Sequence, residues 1–531
     1  MLLVWLLKNV VYRLICGSVD IQVSDIIYDS RKDVSGSVFV CLKGYALDGH
    51  DYAKDAMARG AGAVVIQQDI SAKKRKVLQD IALEKNVCLI SVTNTRKALG
   101  EMSRAFFGYP EKKLTLIGIT GTKGKTTTAG ILKNILDRAD IPSGLIGTTG
   151  IFTGKHHFLS ANTTPESYLI QKYLRMMADD GCRAAIMEVS SQALMCQRVC
   201  GMLFDYAIFT NVSPDHIGPG EHQSFEEYIY WKRQLFSQCH VGIFNGTDSN
   251  VIKAIKNCNC CLESFGILDD KGCSALGEEL PLAPGEPTKK TMAANLDWEV
   301  RELKNILEPR VGTQFIARKN GDEHKLFLSL PGSYNVENAL PAVAAARHMD
   351  ISWENIRKGL ENVRVCGRCE VLGKCCGGCF ILDYAHNGKS LETILKTLRQ
   401  YNPRRLICIF GCGGNRSRLR RTDMARAAAM GADHLIITTD NPRYEAPLEI
   451  IRDIEKEIIR LTPYFPKLQK NGFYEIIEDR RAAICHAVKI MGSGDIVLLA
   501  GKGHENYQEI AGKRYPFDEH EIVREEIKRE A

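Results

Sequence analysis

The sequence predicts an α/β protein of roughly two to four domains, and three observations support this prediction. The chain has 531 residues, which is too long for a single hydrophobic core. A glycine-rich stretch lies between a buried-strand pattern and an amphipathic helix pattern at residues 114–138. Short apolar runs then alternate with helical patterns, as they do in a doubly wound sheet.

The composition is that of an ordinary globular protein, with 45% hydrophobic and 25% charged residues. The net charge of +7 has no long basic runs, so it suits small anionic substrates and does not indicate a nucleic-acid partner. The apolar opening MLLVWLLKNVVYRLICGS is interrupted by Lys8 and Arg13, which predicts a buried strand or helix. Because no later apolar run reaches about 18 residues, we expect no membrane insertion and a cytoplasmic location.

The cysteine content favours a reducing compartment. The 19 cysteines are an odd number, and several lie in apolar runs such as Leu406–Phe410, which argues against a disulfide framework. The segment CGRCEVLGKCCGGC (Cys366–Cys379) contains two C-x-x-C pairs and raises the hypothesis of a zinc site. The gap between the pairs is short for a zinc ribbon, so a cysteine-rich hairpin is the favoured interpretation.

The stretch IGITGTKGKTTTAGIL (Ile117–Leu132) is a variant of a phosphate-binding loop. It follows the strand pattern LTLIGIT and opens a helix that places Ile131, Leu132, Ile135 and Leu136 on one face. Backbone N–H groups and the helix dipole would face an anion there, while a lysine and a threonine reach the phosphates and Mg²⁺. A plain strand-to-helix turn is the alternative.

Polar residues follow the next apolar runs, RAAIMEV, DYAIFTNV and VGIFNG. They are Glu188, then Asp215 and His216, then Asn245. In a doubly wound domain the carboxyl ends of the strands carry the chemistry, so these side chains are expected beside the loop. Glu188 and His216 are candidate ligands for a second hard cation, although each alone could be a solvated loop residue.

The loop GTKGKTTT (Gly121–Thr128) resembles the GTxGKT loop of the Mur ligases, the ATP-dependent amide-forming enzymes of peptidoglycan synthesis. YDSRKDVSGSVFVCLKGYALDGHDY (Tyr28–Tyr52) resembles the uridine-nucleotide module of the member that adds the third amino acid. Further motifs follow in family order: NTTPES, MEVSSQAL, TNVSPDHI, GSYNVENAL, DYAH, FGCGGNRSRLRR, DNPRYEAP and GKGHENYQ.

The resemblance implies three domains. Residues 1–112 would form an N-terminal uridine-nucleotide module, residues 113–363 a central P-loop ATPase-like doubly wound domain, and residues 364–531 a C-terminal Rossmann-like domain that binds the amino acid. The runs RRLICIFGCGG, ADHLIITTD and GDIVLLAGKG agree with the last of these, because each ends in glycine or polar residues. The Pro/Gly-rich stretch Leu276–Lys290 is predicted to be a surface loop.

The resemblance also implies the reaction and its small molecules. ATP and Mg²⁺ would be the cofactors, and a UDP-muramoyl dipeptide and meso-diaminopimelate the substrates of a monomeric enzyme. The γ-phosphate of ATP would convert a substrate carboxylate into an acyl phosphate, which an amine then attacks. Catalysis of this kind rests on positioning and charge neutralisation, so no covalent enzyme nucleophile is expected.

By resemblance, Lys125, Lys232 and His216 are the expected catalytic residues. Thr126, Glu188 and His216 would hold metal, together with Lys232 as a carbamate, which converts a cation into an anion. Without the resemblance, Lys232 would be interpreted as a surface helix lysine. The expected ATP-binding residues are Gly121, Thr122, Lys123, Gly124, Lys125, Thr126, Thr127, Asn335, Arg368 and Asp383.

The expected contacts to the uridine-nucleotide substrate rest on the same resemblance. Gln192 stands where the family usually has histidine, which leaves any proton transfer at that position in doubt. The expected residues are Ser30, Asn162, Thr163, Thr164, Ser190 and Arg198.

The D-N-P-R motif resembles the type that selects diaminopimelate. This amino acid has one more carboxylate than lysine, and the arginine fork of Arg443 suits it. Glu505 could pair with the distal ammonium, and a salt bridge from Arg443 to Glu445 is the purely structural alternative. The expected pocket is Arg416, Asp440, Asn441, Pro442, Arg443, Gly501 and Glu505.

Three other functions stay open at the level of sequence. A lysine-adding relative would share all but the amino-acid pocket. A folylpolyglutamate synthetase would not need the N-terminal uridine-nucleotide module. A P-loop nucleotide-binding regulator without ligase activity would not need Glu188, His216, Lys232 and Asp383 together.

Overall fold

A computed structural model of the chain describes residues 1–45, 47–218, 220–268, 296–469 and 472–530. Within these ranges the chain forms three α/β domains, each built on its own sheet, as the sequence predicts. The boundaries at 112/113 and 363/364 stay predictions. The predicted surface loop Leu276–Lys290 lies outside the described residues. No helix in the described ranges is long and apolar enough to cross a membrane.

The N-terminal sheet has the strand order β1-β5-β4-β3-β2, with only β1 antiparallel to its neighbour. Leu3 and Leu6 of the first helix are buried, which confirms the predicted buried element at the start of the chain. The strands are β1 (Tyr12–Cys16), β2 (Ile26–Ile27), β3 (Val38–Val40), β4 (Ala63–Gln67) and β5 (Cys88–Val92), and the helices are α1 (Leu3–Leu6), α2 (Ala53–Ala58), α3 (Ala72–Lys85) and α4 (Thr95–Phe106).

The central sheet contains β6 (Thr115–Thr120), β7 (Ser143–Gly147), β8 (Gly150–Phe152), β9 (His157–Phe158), β10 (Ala184–Glu188), β11 (Phe204–Phe209), β12 (Cys239–Asn245), β13 (Cys261–Ile267), β14 (Trp298–Ile306), β15 (Gly312–Lys319) and β16 (Asp322–Leu328). Their order is β16-β15-β14-β13-β12-β11-β6-β10-β7-β8-β9, and the segment from β14 to β7 is parallel. The helices are α5 (Lys125–Arg138), α6 (Ser167–Asp179), α7 (Ser191–Met195), α8 (Phe225–Arg233), α9 (Ser249–Ile255), α10 (Ser333–His348) and α11 (Trp353–Glu361).

Strand β6 lies inside this sheet, between β10 and β11, and its residues are almost all buried. Helix α5 follows it and packs its predicted apolar face, Ile131, Leu132, Ile135 and Leu136, into the core. A buried parallel strand requires apolar side chains on both faces, and LTLIGIT supplies them. The glycine-rich stretch therefore occupies the predicted place between strand and helix.

The C-terminal sheet has the order β17-β18-β22-β19-β20-β21, and the three runs predicted as strands form β19, β20 and β22. Its strands are β17 (Glu370–Cys375), β18 (Gly378–Asp383), β19 (Leu406–Phe410), β20 (His434–Ile437), β21 (Tyr474–Ile476) and β22 (Ile496–Ala500), beside a separate hairpin of β23 (Tyr507–Ile510) and β24 (Lys513–Pro516). The helices are α12 (Gly388–Arg399), α13 (Leu419–Gly431), α14 (Pro447–Leu461), α15 (Arg480–Ile490) and α16 (Glu519–Glu530).

The cysteine-rich segment Cys366–Cys379 leads into and forms most of the antiparallel hairpin of β17 and β18, which was its favoured interpretation. Its cysteines do not gather as a four-cysteine zinc site. Cys369 and Cys379 are buried, Cys366 is exposed before β17, and Cys376 is exposed at the turn. Among the described residues, one cluster of potential metal-ligating side chains is found, and it includes a single cysteine of this segment.

Candidate active site

The phosphate loop closes tightly against β11 and α10. Gly121 has φ +148° and Gly124 has φ +85°, in the range that side chains disfavour. A Cβ at Gly121 would lie 2.0 Å from Thr210 Oγ1, and one at Gly124 would lie 2.1 Å from Asn338 Oδ1. Glycine is thus required at both positions. Asn338 is a neighbour of the loop that the sequence did not reveal.

Lys125 is the first residue of α5 and folds back over the loop. Its Nζ donates to the carbonyl oxygens of Gly121 at 2.8 Å and Thr122 at 3.2 Å. Burial lowers the pKa of Lys125, and the nearby Glu188 carboxylate opposes that shift. The ammonium group is therefore held by carbonyl dipoles at the N-terminus of a helix, where an anion is favoured.

Glu188 ends β10 and is fully buried beside the loop. Its Oε2 accepts a hydrogen bond from Thr126 Oγ1 at 2.9 Å, which brings the two expected metal ligands together. Its Oε1 accepts from the backbone N–H of Thr148 at 2.9 Å, and Thr148 Oγ1 lies 3.2 Å from Oε2. Carboxylate and hydroxyl oxygens are the ligands that hard cations such as Mg²⁺ prefer, so these residues fit the ion.

Thr148 was not predicted. It follows β7 in the sequence Gly-Thr-Thr-Gly, and its Oγ1 is 3.1 Å from Thr163 Oγ1, a predicted substrate contact. A Cβ at the preceding Gly147 would lie 2.3 Å from Glu188 Oε1, so that glycine is needed for the carboxylate to fit. The available signal was a polar, glycine-flanked pair at a strand end.

Lys232, on α8, is buried with 1% exposure, so it is not the surface lysine that the plain helix pattern indicated. Its Nζ donates to Gly121 O at 2.8 Å and lies 4.4 Å from the centre of the Tyr228 ring. Burial, and secondarily the charge of Lys125, holds the pKa of Lys232 well below its usual value. Two lysines therefore meet at one carbonyl of the phosphate loop.

Tyr228 links this lysine to two histidines. Its hydroxyl is 3.2 Å from Thr122 Oγ1, and its ring centre is 6.2 Å from that of His216 and 5.3 Å from that of His222. His216 is exposed and has Nδ1 2.9 Å from Glu221, so its role as a metal ligand stays a prediction. His222, not predicted, is buried with Nε2 2.9 Å from Ser191 Oγ, and burial lowers its pKa.

The remaining predicted ATP residues have the following contacts, and their role in ATP binding stays a prediction. The guanidinium of Arg368 lies 5.2 Å from the centre of the Tyr384 ring, and its charge contributes to lowering the pKa of Lys125. Asp383 Oδ2 accepts from the N–H of Cys369 at 2.8 Å. The other contacts are Asn335 Nδ2 donating to Pro331 O at 2.7 Å, Lys123 N donating to Asn211 Oδ1 at 2.9 Å, and Thr127 buried on α5.

Three of the six predicted sugar-nucleotide residues form one hydrogen-bond network with the backbone of Glu188. Thr164 Oγ1 donates to the backbone carbonyl of Glu188 at 2.8 Å and accepts from the N–H of Ser190 at 3.1 Å. Arg198 Nη1 donates to Thr164 O at 2.9 Å. Asn162, two residues before Thr164, is exposed. Ser30 lies in the N-terminal domain, where its backbone carbonyl accepts a hydrogen bond from the Arg59 guanidinium.

Glu166 was missed by the sequence, although it lies within NTTPES. Its Oε1 is 2.8 Å from Arg198 Nη2 and 3.4 Å from Nη1 of Arg96, which belongs to the N-terminal domain. Two guanidinium groups share one carboxylate, which leaves a surplus of positive charge between the two domains. Such a surplus suits an anionic ligand that contacts both of them.

The predicted amino-acid pocket is assembled by side chains from two loops. Asn441 Nδ2 donates to Glu505 Oε2 at 2.7 Å, and Asn441 Oδ1 accepts from Lys502 Nζ at 3.1 Å. Burial, and secondarily Asp440, raises the pKa of Glu505. Gly501 has φ +115°, and a Cβ there would lie 2.6 Å from Asp440 Oδ2. Lys502, fully buried, was not predicted.

Arg443 does not form the predicted alternative salt bridge to Glu445, which instead pairs with Arg421 at 2.6 Å. Arg443 Nη1 donates to Gly414 O at 2.7 Å, and its Nε lies 3.2 Å from Glu509 Oε2. Arg416 and Pro442, two other predicted residues, lie beside the neighbouring glycines. A Cβ built on Gly413 would lie 3.2 Å from Arg443 Nη1 and 3.9 Å from Arg416 Cγ, and a Cβ built on Gly414 would lie 2.0 Å from Pro442 O.

Comparisons with known proteins agree with this three-domain arrangement. The family model for the Mur ligase family catalytic domain matches residues 22–107. The Mur ligase middle domain matches residues 119–346, and the Mur ligase glutamate ligase domain matches residues 367–503.

Two relatives match along nearly the whole chain, and both are named UDP-N-acetylmuramoyl-L-alanyl-D-glutamate–2,6-diaminopimelate ligase. The protein of Clostridium perfringens (strain 13) is 36% identical over 528 residues, covering 98% of this chain and 99% of the relative. That of Clostridium botulinum (strain ATCC 19397) is 37% identical over 510 residues, covering 96% and 95%.

A solved structure of a protein with the same name is 26% identical, with a TM-score of 0.66, and the match covers 96% of this chain and 95% of that one. The resemblance seen in the sequence motifs is confirmed. The chain belongs to the Mur ligase family and is an ATP-dependent ligase.

Proposed function

We propose that this enzyme uses ATP to join meso-2,6-diaminopimelate to a carboxylate of UDP-N-acetylmuramoyl-L-alanyl-D-glutamate, a step of peptidoglycan synthesis. The relatives that match nearly its full length are named for this reaction. The observation that carries the proposal is the pocket in which Arg443 lies against Gly414, while Asn441 holds Glu505. A cationic group and an acidic group thus line one site, as a dicarboxylic diamino acid requires.

The phosphate loop would serve the first chemical step. The γ-phosphoryl group of ATP passes to the substrate carboxylate, and the resulting acyl phosphate has a good leaving group for attack by the amine. Lys125 would stabilise the charge on the transferring oxygens, and the position of its ammonium over the loop at the start of α5 supports this role. The enzyme's task in this step is to position and neutralise, which fits a site without a covalent nucleophile.

Thr126 and Glu188 would hold Mg²⁺, with His216 and a modified Lys232 serving a further ion. The fit rests on the hydroxyl and the carboxylate already lying 2.9 Å apart beside the loop. When bound, Mg²⁺ neutralises phosphate charge and orients the transferring group. Thr148 would orient the Glu188 carboxylate through the hydrogen bonds it makes to both oxygens.

Lys232 would carry a carbamate. The amine must be neutral to react with CO₂, and burial lowers the pKa of Lys232, which favours that form. A bond forms between Nζ and carbon, one amine proton leaves to water, and the side chain becomes an anion. This change would replace repulsion between two neighbouring lysines with attraction, and it would add oxygen ligands beside the loop.

Selection of diaminopimelate over L-lysine would depend on Arg443. The extra carboxylate needs a cationic partner with two parallel N–H groups, which a guanidinium offers and a lysine side chain does not. Glu505 could pair with the distal ammonium of either amino acid, but L-lysine has no second carboxylate for Arg443.

A turnover assay tests the proposal directly. Phosphate release is measured with ATP, Mg²⁺ and the UDP-muramoyl dipeptide, against a panel that includes meso-diaminopimelate, L-lysine and L-glutamate. We expect release with diaminopimelate at least about tenfold faster than with any other amino acid. Preference for lysine would overturn the amino-acid assignment alone. Phosphate release that does not depend on the dipeptide would overturn the assignment of the dipeptide as substrate.

We also propose that the enzyme is monomeric and cytoplasmic, which light scattering and cell fractionation would test.

A further inference from the structure

A second cluster of ligating side chains lies where the loop before β17 meets helix α16. Cys366 precedes the strand, Glu370 is its first residue, and His520 comes from the helix. The thiol sulfur, a carboxylate oxygen and a ring nitrogen all lie within 4.8 Å of one another. Glu370 is buried, His520 is half-buried and Cys366 is exposed, so the cluster opens to solvent on its cysteine side.

The histidine in this cluster is held in a fixed orientation. Its Nε2 lies 3.0 Å from Glu370 Oε2, and its Nδ1 lies 3.1 Å from Asp518 Oδ1. A histidine that binds metal through one ring nitrogen commonly has the other held by a carboxylate. Glu370 Oε2 is itself fixed by the backbone N–H of Gly367, at 2.9 Å. Two of the three ligating groups are thus oriented by neighbours outside the cluster.

The cluster also suits a cation, because the Glu370 carboxylate faces one ring nitrogen of His520 and the Asp518 carboxylate faces the other. A divalent ion could replace the imidazolium and thiol protons, which would pass to water, and the resulting thiolate and carboxylate would balance its two charges.

We propose that Cys366, Glu370 and His520 bind one thiophilic divalent cation of the zinc class, at a site separate from the phosphate loop. A thiolate and an imidazole select zinc-like ions over Mg²⁺. In tetrahedral zinc coordination such ligand atoms lie roughly 3.3–3.6 Å apart, which small side-chain shifts within this cluster would satisfy. Water would occupy the fourth position, on the exposed side.

The site differs from the zinc hypothesis drawn from the two C-x-x-C pairs. It uses only Cys366 of that segment and takes its other ligands from β17 and α16. Arg368, a predicted ATP residue, lies between Cys366 and Glu370 in the same loop. A bound cation would therefore fasten the loop that carries Arg368 to helix α16.

Zinc binding by the full-length protein tests the inference without any turnover assay. Metal-free, reduced protein is titrated with Zn²⁺ in competition with a chromophoric chelator, in excess Mg²⁺. We compare the wild type with Cys366→Ser and His520→Arg; the arginine keeps a cation beside Glu370 and removes the ligand. Cys376→Ser is the matched control, because it removes an exposed cysteine at the other end of the hairpin.

We expect one tight equivalent of zinc in the wild type and in Cys376→Ser, and at least about tenfold weaker binding in the other two variants. Loading with Co²⁺ should give a sulfur-to-metal charge-transfer band that Cys366→Ser loses. Circular dichroism checks that each variant is folded. If Cys366→Ser does not fold, the zinc affinity of His520→Arg alone tests the site. The inference is overturned if the wild type lacks a tight equivalent, or if His520→Arg binds zinc as the wild type does.

Discussion

The phosphate loop and the amino-acid pocket both place buried lysines near acidic groups, but they balance charge in different ways. Lys125 and Lys232 donate to backbone carbonyls of the loop, and both approach the oxygen of Gly121. In the pocket, Lys502 lies 3.7 Å from Asp440 and 3.9 Å from Glu505. In the first region the lysines donate to carbonyl oxygens, whereas the second region pairs its lysine with carboxylates.

This difference matches the ligands proposed for each region. A nucleotide phosphate is wholly anionic, so the Lys125 ammonium, which donates to loop carbonyls, is a suitable partner for it. An amino acid with two ammonium and two carboxylate groups carries both signs. To bind, its carboxylate must take the place of Glu509 beside Arg443. Only a ligand whose charges match these positions can do so, and this selects the amino acid.

The largest effect is expected at the loop. Lys125→Ala removes the ammonium that faces the transferring phosphoryl group, and one such contact contributes about 10²–10³ in rate. We therefore expect kcat for ligation to fall by at least about 10²-fold, measured by phosphate release at saturating substrates. A kcat near that of the wild type would contradict the assignment of this loop.

Lys232→Ala should follow, with a loss of about 10–100-fold, because a group that supports the metal site disappears. Acetate or formate in the assay should restore part of the activity if the missing group is a carbamate. Arg233→Ala is the control, since that neighbour's guanidinium hydrogen-bonds Asn257 O at 3.4 Å rather than the loop. Full activity of Lys232→Ala, or a free amine in crystals of active enzyme, would exclude the carbamate.

The loop could be predicted from sequence because its geometry is local. Its two glycines, the lysine and the threonine lie within six residues, Gly121–Thr126, between a strand and a helix. Glu188 was also within reach, because β10 pairs in parallel with β6 and places Glu188 opposite Ile119. Parallel neighbours end at the same edge of a sheet, so polar residues after such strands meet there.

Other parts of the site depend on tertiary packing that no local pattern contains. Thr148 meets Glu188 across 40 residues, because β7 is the other neighbour of β10. Lys232 resembles a solvated helix residue until Tyr228 and the loop cover it. Arg443 has its acidic partner 66 residues away, at Glu509, rather than at the nearby Glu445. Sequence proximity was therefore a poor guide to the ion pair of Arg443.

Arg443→Ala tests the paired region. It should raise the activation free energy for reaction with diaminopimelate by at least about 2 kcal/mol, which lowers kcat/KM about 30-fold, because the ligand carboxylate loses its partner. The effect on L-lysine should be small, so the two amino acids are compared in the same assay. Glu509→Gln separates lost ligand binding from lost pairing, since it keeps Arg443 and removes the charge beside it. An unchanged preference in Arg443→Ala would contradict the assignment.

The smallest effect is expected at Thr148, which hydrogen-bonds the Glu188 carboxylate beside the phosphate loop. Thr148→Val keeps the shape and the backbone N–H donor to Glu188 but loses the hydroxyl, which lies 3.2 Å from Glu188 Oε2 and 3.1 Å from Thr163 Oγ1. One hydrogen bond of this kind contributes about 1 kcal/mol, so we expect an approximately fivefold higher Mg²⁺ concentration for half-maximal rate. Thr148→Ser should restore the wild-type value, because it returns the hydroxyl. If Thr148→Val has the Mg²⁺ dependence of the wild type, the hydroxyl does not orient Glu188 for metal, and the hydrogen bond serves only the packing of the two strand ends.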